Sequence, residues 1–152
     1  MTSPLAGNAG APCTCFALRK LARSVSRLYD RHLAAAGLKT TQYSLLKCVM
    51  HEALPMARLA ALLGAERTTL TRNLKPLQDA GWVAVQVGPD PRQRIVAITA
   101  AGRAKAAAAR PAWRAAQHEL ECTLGRDALR ALQRELDGAA LRLTPGAPDA
   151  SA

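Results

Sequence analysis

Two glycines punctuate residues 55–83, PMARLAALLGAERTTLTRNLKPLQDAGWV, and this spacing constrains the fold more than any other feature of the chain. An apolar helical period over 56–63 ends at Gly64. After a three-residue turn, a second helical period covers about 67–80 and ends at Gly81. Glycine suits both places because it adopts the left-handed backbone that follows a helix. Two helices of these lengths, joined by so short a turn, predict a helix-turn-helix.

The hydrophobic period changes from helical to two immediately after this segment. Val83, Val85 and Val87 alternate with smaller or polar residues, and a second apolar run follows over 95–98. The intervening GPDPRQ contains two prolines and a glycine, which favour a turn. The pattern predicts a β-hairpin wing whose tip carries arginines.

Helices are expected on both sides of this central unit. Apolar residues spaced by three or four predict a first helix over about 13–36, ended by Gly37. Thr40 or Thr41 is expected to cap a second helix that ends before Pro55.

After the hairpin, Thr99 is expected to cap a long alanine-rich helix that runs to about Thr123, with a kink at Pro111. Gly125 then separates it from a last helix. That helix carries an apolar stripe of Leu129, Leu132, Leu136 and Leu143.

The fold class that follows is mainly α with a small β-hairpin wing, a winged helix-turn-helix. The helices at 12–36 and 100–143 are expected to form a dimerisation domain, because a single chain of this size leaves the leucine stripe of the last helix uncovered. Residues 37–99 form the winged unit, and the Gly- and Pro-rich stretches 1–11 and 144–152 are expected to be flexible tails.

Composition narrows the class of partner. The 152 residues carry 21 Lys and Arg against 11 Asp and Glu, a formal net charge of +10, which favours a polyanion such as nucleic acid. The sequence shows neither a signal peptide nor an apolar stretch long enough for a membrane span, so we expect a cytoplasmic protein with reduced cysteines. Without a phosphate-binding glycine loop, an H-E-x-x-H motif or a nucleophile elbow, we expect no enzyme, no cofactor and no metal site.

The second helix of the helix-turn-helix has one apolar face and one face suited to DNA. Leu70, Leu74 and Leu77 are expected to pack inward. Arginine can bind guanine edges, threonine can contact bases, and basic side chains neutralise phosphates. Arginines at the wing tip are suited to the neighbouring minor groove. The expected DNA-contacting residues are Arg67, Thr68, Thr69, Thr71, Arg72, Lys75, Arg92 and Arg94.

The stretch LAALLGAERTTLTRNLKPLQDAGWV, followed by DPRQRIVAITAAGR, resembles the core of the MarR family of transcription regulators. The resemblance runs from about residue 15 to 143, and Asp90 with Arg92 matches the wing pair of the family. It implies a homodimeric regulator, by default a repressor, that binds double-stranded DNA at a palindromic operator. It also implies that the protein is released from its operator by a small organic effector or by cysteine oxidation. An architectural DNA-binding protein is the alternative outside regulation.

The first helix, with CFAL followed by a tyrosine, is similar to the OhrR peroxide-sensing subgroup. That similarity implies that Cys15 is the reactive thiol, that Tyr29 bonds its thiolate and that Cys122 resolves the oxidised form; Arg19 stands where another tyrosine is expected. The start of a helix favours a thiolate, and an accessible thiolate oxidises readily. Alternatively, the cysteines are small packing residues, or Cys13 and Cys15 capture a soft metal or arsenite.

If the signal is a small organic molecule, the resemblance implies a pocket between the dimerisation helices and the reading unit. The residues expected to line it are Arg19, His32, Tyr43 and Trp113.

Overall fold

The computed structural model describes residues 13–143, and the tails expected at 1–11 and 144–152 lie outside the described residues. In chain order the elements are α1 (Thr14–Leu33), α2 (Thr40–Cys48), β1 (Leu54–Pro55), α3 (Met56–Leu63), α4 (Arg67–Asp79), β2 (Val83–Val87), β3 (Arg94–Ile98), α5 (Ala100–Leu124) and α6 (Arg126–Leu143). A short 3-10 turn, Ala34–Ala36, follows α1. The mainly helical fold class with a β wing is confirmed.

The prediction that glycines end both helices of the helix-turn-helix is confirmed. Helix α3 ends at Gly64, whose φ of 57° is left-handed, and Gly81 after α4 has φ 72°. The inner face of α4 is also confirmed, because Leu70, Leu74 and Leu77 are each at most 1% exposed. Helix α4 therefore packs by its leucine face and leaves the opposite face to solvent.

One of the two expected helix caps is right and the other is wrong. The hydroxyl of Thr99 accepts a hydrogen bond from the Gly102 amide at 3.0 Å and caps α5. Helix α2, however, begins one residue earlier than a threonine cap allows, with Lys39 at the cap position. The Thr40 amide donates instead to the Asp30 carboxylate of α1 at 2.6 Å, so a charged acceptor from a neighbouring helix replaces a local hydroxyl.

The wing hairpin is part of a three-stranded antiparallel sheet with the order β1-β3-β2. Strand β1 places Leu54 opposite Val96 of β3. The sequence does not predict β1, because a strand of two residues, one of them a proline, carries no alternating period. The alternation expected in β2 holds only at its start: Val83 is 4% exposed and Val87 is 62% exposed, at the end of the strand nearer the hairpin tip.

Helices α1 and α5 are joined by polar contacts along their shared face. The Tyr29 hydroxyl donates to the Gln117 side chain at 2.5 Å, and His32 Nε2 lies 2.6 Å from the Glu119 carboxylate. Arg31 also bonds Glu119. Together the His32 and Arg31 contacts lower the pKa of the Glu119 carboxyl below its ordinary value.

The terminal helices expose large apolar side chains. Leu129 is buried at 5% exposure, but Leu136 is 39% exposed and Leu143 is 82% exposed on α6. Phe16 at the start of α1 is 49% exposed. Among the described residues, no helix combines the length and apolar character needed to cross a membrane.

The start of α5 is fixed tightly to the segment after α4. A Cβ built on Gly102 would lie 2.0 Å from the Trp82 carbonyl oxygen. The Thr99 amide donates to that same carbonyl at 3.0 Å, and the Thr99 hydroxyl donates to the Gly81 carbonyl at 2.6 Å. Only glycine allows the helix to approach this backbone so closely.

We therefore predict that Gly102→Ala lowers the free energy of unfolding by about 1–3 kcal/mol, because backbone atoms must move to admit one methyl group. Gly138→Ala in α6 is the matched control, since its nearest neighbour is a flexible arginine side chain at 3.7 Å. Urea unfolding at a fixed protein concentration measures both. Equal stability of the two variants would contradict the close contact.

Candidate DNA-binding surface

The outward face of α4 presents the residue types expected for DNA recognition. Thr68, Thr69, Thr71 and Arg72 are all exposed and lie on the helix whose leucines are buried. Glu66 precedes the helix as its cap residue. The first turn of α4 after Glu66 carries no acidic side chain and begins with the cation Arg67.

The wing tip is held by Asp90. The Asp90 carboxylate accepts a hydrogen bond from the Arg92 amide at 2.9 Å, and its carbonyl accepts one from the Gln93 amide at 2.8 Å. The Arg94 guanidinium donates to the Pro91 carbonyl at 2.8 Å. One aspartate thus organises the turn that carries both wing arginines, as expected of an Asx-type turn.

The structure brings the wing and the recognition helix together. Arg67, in the first turn of α4, lines a cavity of about 430 Å³ with Asp90, Arg92 and Arg94 of the wing. Arg67 and Arg94 also share a second, smaller cavity with Thr71. Basic side chains distant in the sequence therefore form one surface that extends from helix to wing.

Two of the expected contact residues on α4 have side-chain partners within the protein. The Thr71 hydroxyl donates to the Arg67 carbonyl at 2.9 Å, and Lys75 Nζ lies 2.5 Å from the Asp79 carboxylate. Arg72 makes no ion pair within residues 13–143. Of the basic residues on α4, Arg72 is therefore freer than Lys75 to bind an external acceptor.

Tyr43 and Trp113, two residues of the expected effector pocket, lie together. Their ring centroids are 6.3 Å apart with an angle of 26° between planes. Tyr43 is buried and Trp113 is 36% exposed. This ring pair borders two cavities of about 470 Å³ each.

The two cavities differ in chemistry. The first is apolar and lies among α1, α2, α5 and α6, with Leu21, Val25 and Leu120 in its wall. The second is basic, and its wall contains three cations: Lys47, Arg110 and Arg114. Burial raises the pKa of the Tyr43 hydroxyl, and the positive charges of Arg110 and Arg114 oppose that rise.

These three cations were not among the residues expected to line the pocket, although Arg110 and Arg114 are spaced one turn apart around Trp113. The other two residues expected in the pocket, Arg19 and His32, line neither cavity. His32 instead contacts Glu119. The i,i+4 spacing of Arg110 and Arg114 predicts that both lie on one face of α5. That this face meets Lys47 of α2 is visible only in the tertiary structure.

All four cysteines are free. Cys13, Cys15 and Cys122 are exposed, whereas partial burial raises the pKa of the Cys48 thiol. Cys15 lies in the first turn of α1, and Tyr29 lies about 21 Å further along the same helix at 1.5 Å per residue. A contact between Cys15 and Tyr29 would therefore have to form between two protomers.

Metal-ligating side chains are dispersed through the described part of the chain. Within residues 13–143, no three His, Cys, Asp or Glu side chains converge where a metal ion could bind.

Solved transcription regulators share this fold. The transcriptional regulator MosR of Mycobacterium tuberculosis, solved in complex with DNA, is 37% identical, with a TM-score of 0.71 over 84% of this chain and 98% of MosR. A MarR-family regulator from Rhodococcus sp. RHA1 has the same fold, with a TM-score of 0.74 at 20% identity over 83% of this chain and 91% of that one. The fold and surface define a winged helix-turn-helix transcription regulator.

The Bacillus subtilis (strain 168) protein YwoH, an uncharacterized HTH-type transcriptional regulator, is 31% identical over 84 residues. The match covers 54% of this chain and 61% of YwoH, so the chain spans less than two thirds of that relative. No protein-family model matches the chain. On its similarity to MosR over nearly the whole of that protein, the chain belongs to the MarR family of transcription regulators.

We predict that Asp90→Ala loosens the wing tip, because the Arg92 amide loses its carboxylate acceptor. Amide hydrogen exchange of residues 88–94 should accelerate, while exchange in α4 stays unchanged. Asp90→Asn keeps an acceptor at the same place and should restore most of the protection. Unchanged exchange in Asp90→Ala would show that the tip does not depend on this side chain.

Proposed function

We propose that this protein is a homodimeric repressor that binds a palindromic operator through α4 and the wing and leaves it when an organic acid binds. The observation that carries the proposal is the shared surface formed by Arg67 of α4 with Arg92 and Arg94 of the wing. A recognition helix in the major groove and an arginine wing at the minor groove are how such surfaces read DNA. The formal charge of +10 supports binding to a polyanion.

The exposed apolar side chains of the terminal helices support a homodimer. Phe16 and Leu18 at the start of α1 and Leu136, Leu141 and Leu143 on α6 are each more than a third exposed. Apolar patches of this kind on a soluble protein mark an interaction surface. A second copy would cover them about a two-fold axis and present two α4 helices to a palindrome.

The ring pair and its cations support an acidic effector. Tyr43 and Trp113 offer aromatic surface, and Lys47, Arg110 and Arg114 offer positive charge beside it. An organic acid with an apolar body can use both, since ligand sites are mostly apolar with a few placed polar groups. Helices α2 and α5 belong to the reading and dimerisation units respectively, so a ligand held between them can bias their geometry.

Release by oxidation is a second candidate. Cys15 lies in the first turn of α1 and is exposed, as is Cys122. The N-terminal end of a helix stabilises a thiolate, which oxidises to a sulfenic acid and then pairs with another thiol. In this mode the Tyr29 hydroxyl of one protomer donates a hydrogen bond to the Cys15 thiolate of the other.

We predict that Arg72→Ala weakens binding to the cognate operator by about 1–3 kcal/mol, because a base-edge contact is lost. The operator is sought in DNA upstream of the gene, and affinity is measured by fluorescence anisotropy at fixed salt. Arg134→Ala is the matched control, since it removes the same charge from an exposed position on α6. Equal operator affinity of both variants would exclude α4 as the reading helix.

An architectural protein makes a different prediction in the same assay. It would bind random duplex as tightly as the upstream DNA, whereas a regulator prefers its operator strongly. Absence of any preference would refute the proposed function.

The mode of release is tested on the protein–operator complex. Naphthoate should displace the DNA while neutral naphthamide does not, and Arg110→Gln with Arg114→Gln should raise the naphthoate concentration required by about tenfold. If oxidation is the signal, an organic hydroperoxide releases the DNA, dithiothreitol restores binding, and Cys15→Ser is insensitive. Insensitivity of wild-type binding to both acid and peroxide would contradict both modes.

A further inference from the structure

A polar cavity lies where α5 ends and α6 begins. It has a volume of about 390 Å³ and is lined by His118, Glu121, Cys122, Arg126, Asp127 and Arg130. It shares no lining residue with the cavities beside Tyr43 and Trp113. DNA binding and the acidic effector use none of these titratable and nucleophilic side chains, and the oxidation mode uses only the Cys122 thiol, as a partner for Cys15.

Cys122 and His118 form a thiol–imidazole pair in this cavity. The Cys122 Sγ lies 3.6 Å from His118 Nε2, one helical turn away on α5, and both side chains belong to exposed residues. A base within hydrogen-bond distance activates a thiol, because the thiolate is the nucleophile. The pair is thus accessible and suited to nucleophilic attack.

Of the two arginines that line this cavity, one is paired with a carboxylate and the other can bind an incoming anion. The Glu121 carboxylate is held by Arg126 at 3.7 Å and by the Gln117 amide at 3.1 Å. Asp127 lies in the first turn of α6. Arg130 makes no ion pair within the described part of the chain, so its guanidinium can bind an incoming carboxylate.

The other cysteines lack this arrangement. Cys48 is partly buried, and burial raises the pKa of its thiol. Cys13 and Cys15 are exposed, but no hydrogen bond joins either thiol to a histidine among residues 13–143. The environment therefore distinguishes Cys122 from the other three thiols.

We propose that Cys122 is a modification site at which small disulfides bearing carboxylates, of the oxidised-glutathione type, form a mixed disulfide with the protein, assisted by His118 and Arg130. This site is independent of the operator and of the acid-binding cavity.

The exchange balances without a further oxidant. His118 Nε2 takes the thiol proton, and the Cys122 thiolate attacks one sulfur of the small disulfide. The new bond joins Cys122 Sγ to that sulfur, and the S–S bond of the reagent breaks. The departing thiolate takes the proton from His118, so one disulfide is consumed, one mixed disulfide is formed and one small thiol is released.

The test uses the full chain with Cys13→Ser, Cys15→Ser and Cys48→Ala, which leaves Cys122 as the single thiol. Its reaction is timed with dianionic dithiobis(nitrobenzoate) and with neutral dithiodipyridine. Adding His118→Gln should slow both reactions by about tenfold or more at neutral pH. Adding Arg130→Gln should slow only the dianionic reagent, by about fivefold.

Arg134→Gln on the same helix is the matched control and should change neither rate. Circular dichroism confirms that each variant is folded, and Cys122→Ser in the same background should abolish the reaction. In the wild-type chain, oxidised glutathione should label the peptide containing Cys122 first. Rates unaffected by His118→Gln, or first labelling at Cys13 or Cys15, would overturn the proposal.

Discussion

The contact between the start of α5 and the backbone at Gly81 and Trp82 is the constraint on which the other parts depend. Gly102 packs against the Trp82 carbonyl, and Thr99 bonds the carbonyls of both Gly81 and Trp82. Lys105 adds a cation–π contact over the Trp82 ring at 4.7 Å. Because α4 ends just before this point and α5 continues along α1 and α2, the junction fixes the start of α5 relative to the end of α4.

This junction gives the proposed effector site a mechanical role. Arg110, Trp113 and Arg114 lie on α5, two to three turns beyond Gly102, and face α2 through Tyr43. A ligand that changes the separation of α5 and α2 acts on a helix whose first turn is fixed to the end of the recognition unit. Rigid packing makes such coupling effective, since close-packed elements shift as units and do not deform gradually.

The reading surface itself depends on two kinds of restraint. Buried leucines fix the rotation of α4, so that Thr68 and Arg72 face outward. Asp90 fixes the wing turn, so that Arg92 and Arg94 return towards Arg67. The polar cavity at the α5–α6 turn shares no residue with this surface and holds the proposed modification site at Cys122.

The sequence by itself determined the helix-turn-helix, the wing strands β2 and β3, and the buried face of α4, because these features depend on local periodicity and on glycines that end helices. It did not predict β1, the Asp30 cap of α2, or the grouping of Lys47 with Arg110 and Arg114. Those features join residues far apart in the chain, through contacts that leave no local period. Only the tertiary structure decided them, since a cap or a charge cluster is defined by which helices pack together.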